Sequence, residues 1–134
     1  MQVREKDALE AGLEETAEKV LREMSLPLVV KAPTQGSTIG TSFVHERKDV
    51  VTALETAYRY DRVALVEQFI EGIEVTAPVL GNDNPVALPL IEIVSATGVY
   101  DYEAKYTPGM SDHIIPPRIP VELQAMIKEL AVRT

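Results

Sequence analysis

The chain has 134 residues and carries 21 acidic against 13 basic side chains, a formal net charge of -8. That sign repels phosphate backbones and anionic lipid, and the lysines and arginines form no basic patch, so neither nucleic acid nor a membrane surface is an expected partner. With 46% hydrophobic and 25% charged residues, the composition is that of a globular domain able to bury a core. The absence of cysteine excludes a disulfide frame, a thiol nucleophile and a Cys-based zinc site. Met1 to Glu23 is charged and periodic rather than a basic segment followed by an apolar run. No apolar stretch approaches the roughly 20 residues that span a bilayer. The expectation is a soluble, cytoplasmic protein.

Apolar residues at Leu9, Leu13, Ala17, Val20, Leu21 and Met24 predict one amphipathic helix from Asp7 to Met24, stopped near Pro27. Leu28-Val29-Val30 predicts a short buried strand ending at Lys31. The Pro and Gly of Ala32 to Gly36 predict a loop, and Ser37 to His45 an extended partner, giving a hairpin. Helical spacing returns at Val50, Val51, Leu54, Ala57 and Tyr58, followed by a strand from Val63 to Phe69 and a turn at Glu71-Gly72. Two further strands are expected, Glu74 to Leu80 and Ala87 to Val94, around the turn starting at Gly81. Ser95 to Pro117 breaks into Tyr, Gly, Pro and charged residues, which predicts a long, irregular and mobile functional loop. A last helix starts near Val121, and the sequence stops abruptly at Thr134, as if cut. The order of elements predicts an α+β fold with largely antiparallel sheets.

Three features suit ligand chemistry. Lys31 closes an apolar strand just before Gln35-Gly36-Ser37-Thr38-Ile39-Gly40, so a cation stands beside amides and hydroxyls of the kind that hold phosphate; the sequence is not a Walker A motif, and an exposed lysine on a plain hairpin fits as well. Glu67 and Glu74 lie on or beside strands, where a carboxylate can accept from an exocyclic amine or ribose hydroxyls; solvent-facing glutamates fit the same spacing. Tyr100-Asp101-Tyr102-Glu103-Ala104-Lys105-Tyr106 suits a binding loop, or an Ω-type loop packed by its own tyrosines. His45 and His113 lack metal-ligand spacing and are assigned to surface or packing roles, with no metal ligand nominated. Glu92, interrupting an apolar strand, either faces a cleft or has a pairing role.

In order along the chain, three blocks resemble the D-alanine–D-alanine ligases of the ATP-grasp superfamily. They are Leu-Pro-Leu-Val-Val-Lys-Ala-Pro-Thr-Gln-Gly-Ser-Thr-Ile-Gly from Leu26, Leu-Val-Glu-Gln-Phe-Ile-Glu-Gly-Ile-Glu from Leu65, and Tyr-Asp-Tyr-Glu-Ala-Lys-Tyr-Thr-Pro-Gly-Met from Tyr100. The last is the most specific and argues against other ATP-grasp carboxylate–amine ligases. The resemblance implies a partial ATP-grasp fold, with residues 1–70 as the central subdomain and 71–134 as the start of a truncated C-terminal subdomain.

It also implies roles. Lys31 resembles the lysine on the α/β-phosphates, and Gln35, Gly36, Ser37 and Thr38 the small loop that closes over them. Glu67 resembles the acceptor of the adenine amine, Gln68, Phe69 and Ile70 the adenine hinge, and Glu74 the ribose acid. Lys105 resembles the lysine that approaches the phosphates on closure, while Ser37 bonds Tyr106 in the family and orders the catalytic site. Ala32, Thr38 and Phe69 depart from the usual proline, serine and tryptophan, each keeping shape or a hydroxyl. The implied reaction phosphorylates one D-alanine carboxylate with ATP, with Mg²⁺ bridging phosphate oxygens, before a second D-alanine amine attacks. The family's first D-alanine-binding domain, its magnesium ligands and its transition-state arginine have no counterpart here, so the expectation is an inactive piece holding part of the ATP site. The alternative is a non-catalytic scaffold that self-associates, which keeps a homo-oligomer in view.

Overall fold

The computed structural model describes residues 1–134. The chain divides between Glu71 and Gly72 into two compact units.

The first unit is a four-stranded antiparallel sheet covered on one face by helices. Its elements are β1 (Gln2–Arg4), α1 (Glu5–Ala11), α2 (Leu13–Glu23), β2 (Leu28–Lys31), β3 (Ser42–Val44), a 3₁₀ turn at Arg47–Asp49, α3 (Val50–Tyr58) and β4 (Val63–Gln68). The strands run in the order β1-β4-β2-β3. Strand alternation explains the packing: Leu28 and Val30 of β2, Val44 of β3 and Ala64 and Val66 of β4 are buried, whereas their neighbours face the other way. The buried set meets Ala17 and Val20 from α2 and Val50, Ala53, Leu54 and Ala57 from α3, forming one core. The hairpin expected from sequence is present, with Leu28 opposite Val44 and Val30 opposite Ser42.

Several expectations are corrected. The single first helix is two, broken at Gly12, whose φ of 94° is open to glycine and leaves the helical region. Ser37 to His45 is extended only at Ser42–Val44, because Ser37 and Thr38 take left-handed φ values of 53° and 59° and turn the chain. β1 was not foreseen; three residues carry no periodicity, and the strand exists only through its register on β4, Val3 opposite Ala64.

The second unit comprises β5 (Glu74–Thr76), β6 (Val79–Leu80), β7 (Val86–Ala87), β8 (Ile91–Ser95), α4 (Tyr102–Tyr106), β9 (Ser111–Ile114) and α5 (Val121–Arg133). β5-β8-β9 make a three-stranded sheet and β6-β7 a separate two-stranded ribbon, all pairs antiparallel. The two long strands expected here are thus each divided, at Ala77-Pro78 and at Leu88-Pro89, where proline withholds an amide from a ladder. Ser95 to Pro117 is not irregular throughout. α4 is capped by the Asp101 carboxylate accepting from the Ala104 amide at 2.9 Å, and β9 pairs with β8, Ser111 opposite Ser95. The α+β class with antiparallel sheets stands, and no helix is long and apolar enough to cross a membrane.

Glu92 fixes the path after β9. Its buried carboxylate accepts from the Arg118 amide at 2.7 Å, from Nε at 3.0 Å and from Nη2 at 2.6 Å, which settles the pairing role. These bonds hold its carboxyl below the ordinary carboxylate range, the Arg118 side chain contributing most. A lowered folded value means the stabilisation is present above the ordinary range near pH 4.5 and is lost as pH falls through the folded value. Glu92→Gln is therefore expected to lower stability at pH 7 and to flatten its acid dependence, as read by urea unfolding between pH 3 and 7. An unchanged acid limb in the variant would contradict this role.

Candidate functional site

In the first unit, the face of the sheet away from the helices carries Val29 and Lys31 of β2, Phe43 of β3, and Leu65 and Glu67 of β4, all partly exposed. Val29 lies opposite both Phe43 and Glu67, and Lys31 opposite Leu65. On the diagonal, two residues along β4 from Leu65, the Glu67 Oε2 meets the Lys31 Nζ at 2.5 Å. The two side chains assigned by resemblance to phosphate and to adenine therefore stand together on one open surface. Both remain more than a third exposed, so water screens the pair and its net contribution to stability is at most about 1 kcal/mol. The same exposure leaves both groups able to exchange partners.

Above the end of β2, residues 32–41 form three successive turns. The Gln35 amide donates to the Ala32 carbonyl at 3.3 Å, Ile39 to Gly36 at 3.1 Å, and Thr41 to Thr38 at 3.2 Å. The Ala32 amide donates to the Gly40 carbonyl at 3.2 Å and closes the neck. With Ser37 and Thr38 both left-handed at its centre, the Gly36–Ile39 turn has the handedness of type I′. Left-handed threonine is uncommon, and such backbone persists where its surroundings hold it.

Those surroundings lie between α3 and β4, and sequence reasoning missed them. One Asp61 carboxylate oxygen accepts from the Thr34 hydroxyl at 2.6 Å and the Thr34 amide at 3.2 Å, while the other accepts from the Val63 amide at 3.2 Å. The Thr34 hydroxyl is the main reason that the Asp61 carboxyl lies below its ordinary range. Gln35 Nε2 donates to the Tyr60 carbonyl at 3.4 Å. Gly40, at φ 68°, lies so near Tyr60 that a Cβ there would fall 2.8 Å from the ring. The only sequence signal was an Asp just before a strand, which reads as an ordinary turn residue.

After β4 the Phe69 amide and the Gln68 side-chain amide both donate to the Pro27 carbonyl, at 3.1 and 2.8 Å. The Phe69 ring packs edge-on against Phe43 and against His45, which is exposed and so combines the surface and packing roles between which the sequence left it. Ile70 is exposed.

In the second unit, Glu74 on β5 and Lys105 on α4 are electrostatically coupled. Burial pushes the Glu74 carboxyl up, and Lys105 opposes that shift. The Lys105 ammonium also sits 5.3 Å from the centre of the Tyr100 ring. Tyr102 and Tyr106, one helical turn apart, pack at 4.8 Å between ring centres, and Tyr100 meets His113 edge-on. No group of three or more His, Asp or Glu side chains is placed to hold a metal ion.

The family model described as D-ala D-ala ligase C-terminus matches residues 1–134. A D-alanine--D-alanine ligase of Pelotomaculum thermopropionicum is 70% identical over the whole chain, and one of Desulforamulus reducens is 57% identical over 98% of it. The chain spans 42% of the length of each of these relatives. Among solved structures, the VanG D-Ala:D-Ser ligase of Enterococcus faecalis superposes with a TM-score of 0.76 at 31% identity, covering 98% of this chain and 37% of that one. The D-alanine-D-alanine ligase of Coxiella burnetii, at 23% identity and a TM-score of 0.72, shares the fold, with 98% of this chain and 32% of that one covered. With the family model matched from end to end, the chain belongs to the family of D-alanine–D-alanine ligase C-termini, of the ATP-grasp fold.

Proposed function

We propose that this chain supplies part of the nucleotide site of an ATP-dependent ligase that joins two D-alanines for peptidoglycan precursor synthesis in the bacterial cytoplasm. The observation that carries the reading is the pairing of Lys31 with Glu67 on the open face of the sheet, beside the turned Gly-Ser-Thr loop. In this reading Lys31 exchanges Glu67 for the α/β-phosphates, and Glu67 accepts from the adenine amine. Gln35, Gly36, Ser37 and Thr38 close over the phosphates with backbone amides and hydroxyls. Gln68, Phe69 and Ile70 border the adenine. Because the Phe69 amide is held by Pro27, the hinge's donor to the base is the Ile70 amide. Glu74 takes the ribose hydroxyls, Lys105 approaches the phosphates, and Ser37 and Tyr106 order the reacting site. Residues 1–70 would then be the central subdomain and 71–134 the start of the C-terminal one, bounds one residue from the division between the two compact units.

Mg²⁺ in such a reaction would neutralise phosphate charge, but the residues present offer it no cage. The chain alone is accordingly expected to bind nucleotide without turnover. Incubation with ATP, Mg²⁺ and D-alanine, followed by assay of ADP and dipeptide, should show neither above background; dipeptide formation would overturn this part of the reading. A second reading, a self-associating scaffold, is favoured by Leu80 and Val86, exposed on the β6-β7 ribbon. The two readings separate on nucleotide binding, which a scaffold lacks.

A further inference from the structure

Both ends of the 32–41 loop rest on two consecutive residues that no ligand role has claimed. At the entrance, Thr34 is held twice by Asp61, and Gln35 reaches the Tyr60 carbonyl. At the exit, Gly40 leaves no room for a side chain against the Tyr60 ring. Asp61 is itself fixed, since its second oxygen accepts from the Val63 amide at the start of β4. β4 also carries Glu67, six residues after Asp61, so the strand bearing the proposed adenine acceptor is tied directly to the residue that anchors the phosphate loop.

We propose that Asp61, with the Tyr60 ring, is a positioning residue that holds the Gln35–Thr38 loop in its phosphate-receiving shape, acting through Thr34 and Gly40. The physical reason lies in the tip. Two consecutive left-handed residues, one of them β-branched, cost backbone energy and persist only when the flanking chain is over-determined. The turn bonds inside residues 32–41 are local and partly exposed, so alone they compete poorly with water. A carboxylate gathering three donors from two chain segments adds a long-range tie across 27 residues. The tie fixes where the loop's amides and hydroxyls stand relative to Lys31 before any ligand arrives, which lowers the ordering cost of binding. The inference rests on the nucleotide reading and adds to it a residue that touches neither base nor phosphate.

The test compares the wild-type chain with Asp61→Ala, Thr34→Val, the double variant and Thr34→Ser. Amide hydrogen exchange at Gln35, Ile39 and Thr41 is followed alongside titrations with ADP plus Mg²⁺ and with adenosine. Asp61→Ala and Thr34→Val should each speed exchange at those amides and weaken ADP about five- to tenfold, as expected for loss of a charge-assisted tie. Adenosine, which has no phosphate, should bind as before. The double variant should be no worse than Asp61→Ala alone, because Thr34→Val removes only the hydroxyl bond that Asp61→Ala already takes away with the two amide bonds, and Thr34→Ser, which keeps the hydroxyl, should match the wild type. A general loss of folding would weaken both ligands alike, and that result would overturn the positioning role. So would unchanged exchange in Asp61→Ala, or faster exchange with ADP affinity intact. Failure of the wild type to bind ADP overturns the nucleotide reading instead, and is distinguished by appearing before any substitution is made.

Discussion

Lys31→Ala is expected to weaken ADP about 10- to 100-fold while leaving the chain folded. The estimate follows from losing a charge-assisted contact to phosphate, about 1.5–3 kcal/mol, at roughly 1.4 kcal/mol per factor of ten. Folding should be nearly indifferent, because the Lys31–Glu67 pair is screened on both sides and lies on the face away from the core. Two consequences of the geometry sharpen this. In the free chain the lysine already has a partner, so a nucleotide must exchange one anion for another, and the gain is smaller than for an unpaired cation. In Glu67→Gln the lysine loses that competitor yet the base loses its carboxylate, so adenosine should weaken more than inorganic pyrophosphate. Equal loss of both ligands would show that Glu67 serves the site only by holding Lys31.

Leu54→Ala is expected to have the largest effect on stability. Leu54 is fully buried in α3, in the cluster with Val20, Val30, Val50 and Val66. Removing its three outer carbons leaves a cavity in a core closed by a rigid sheet, a change that costs about 2–5 kcal/mol. A unit of this size is stable by only about 4–10 kcal/mol, so the variant should sit close to unfolding at room temperature. Its melting temperature should fall by at least about 10 °C, with the urea midpoint lowered and the denaturant slope unchanged. A loss below about 1 kcal/mol would mean that α3 does not seal this core. Ile70, exposed beyond β4, makes the control, since Ile70→Ala removes similar volume with little cost to folding.

Much of this was legible in the sequence where a pattern outlasts a few residues. The rhythm of Val50, Val51, Leu54 and Ala57 marks α3, and the apolar run ending at Lys31 marks β2, because each repeats its signal over a turn or more. The fold class followed from such elements in order. What failed was set by single residues or by distant partners. Gly12 breaks one helix through a positive φ that periodicity does not register. Pro78 and Pro89 divide strands that apolar content alone would continue. β1 and β9 depend on neighbours supplied by β4 and β8.

The candidate site shows the same division. Lys31, Glu67 and the loop were singled out by residue type and by resemblance, and the structure adds that Lys31 and Glu67 touch. Asp61 was invisible for a different reason: its meaning lies in Thr34, 27 residues away, and in a Tyr60 ring pressed on a glycine. Arg118 was likewise unremarkable in sequence until Glu92 was found buried against it.

The central claim is that the open face of the first unit's sheet receives a nucleotide. Calorimetric titration of the purified chain with ADP and Mg²⁺, beside Lys31→Ala, tests it most directly. The account predicts saturable heat in the wild type and a loss of at least about tenfold in affinity in the variant, both chains remaining folded by circular dichroism. No saturable heat from a folded wild-type chain, or equal binding by the two, would contradict it.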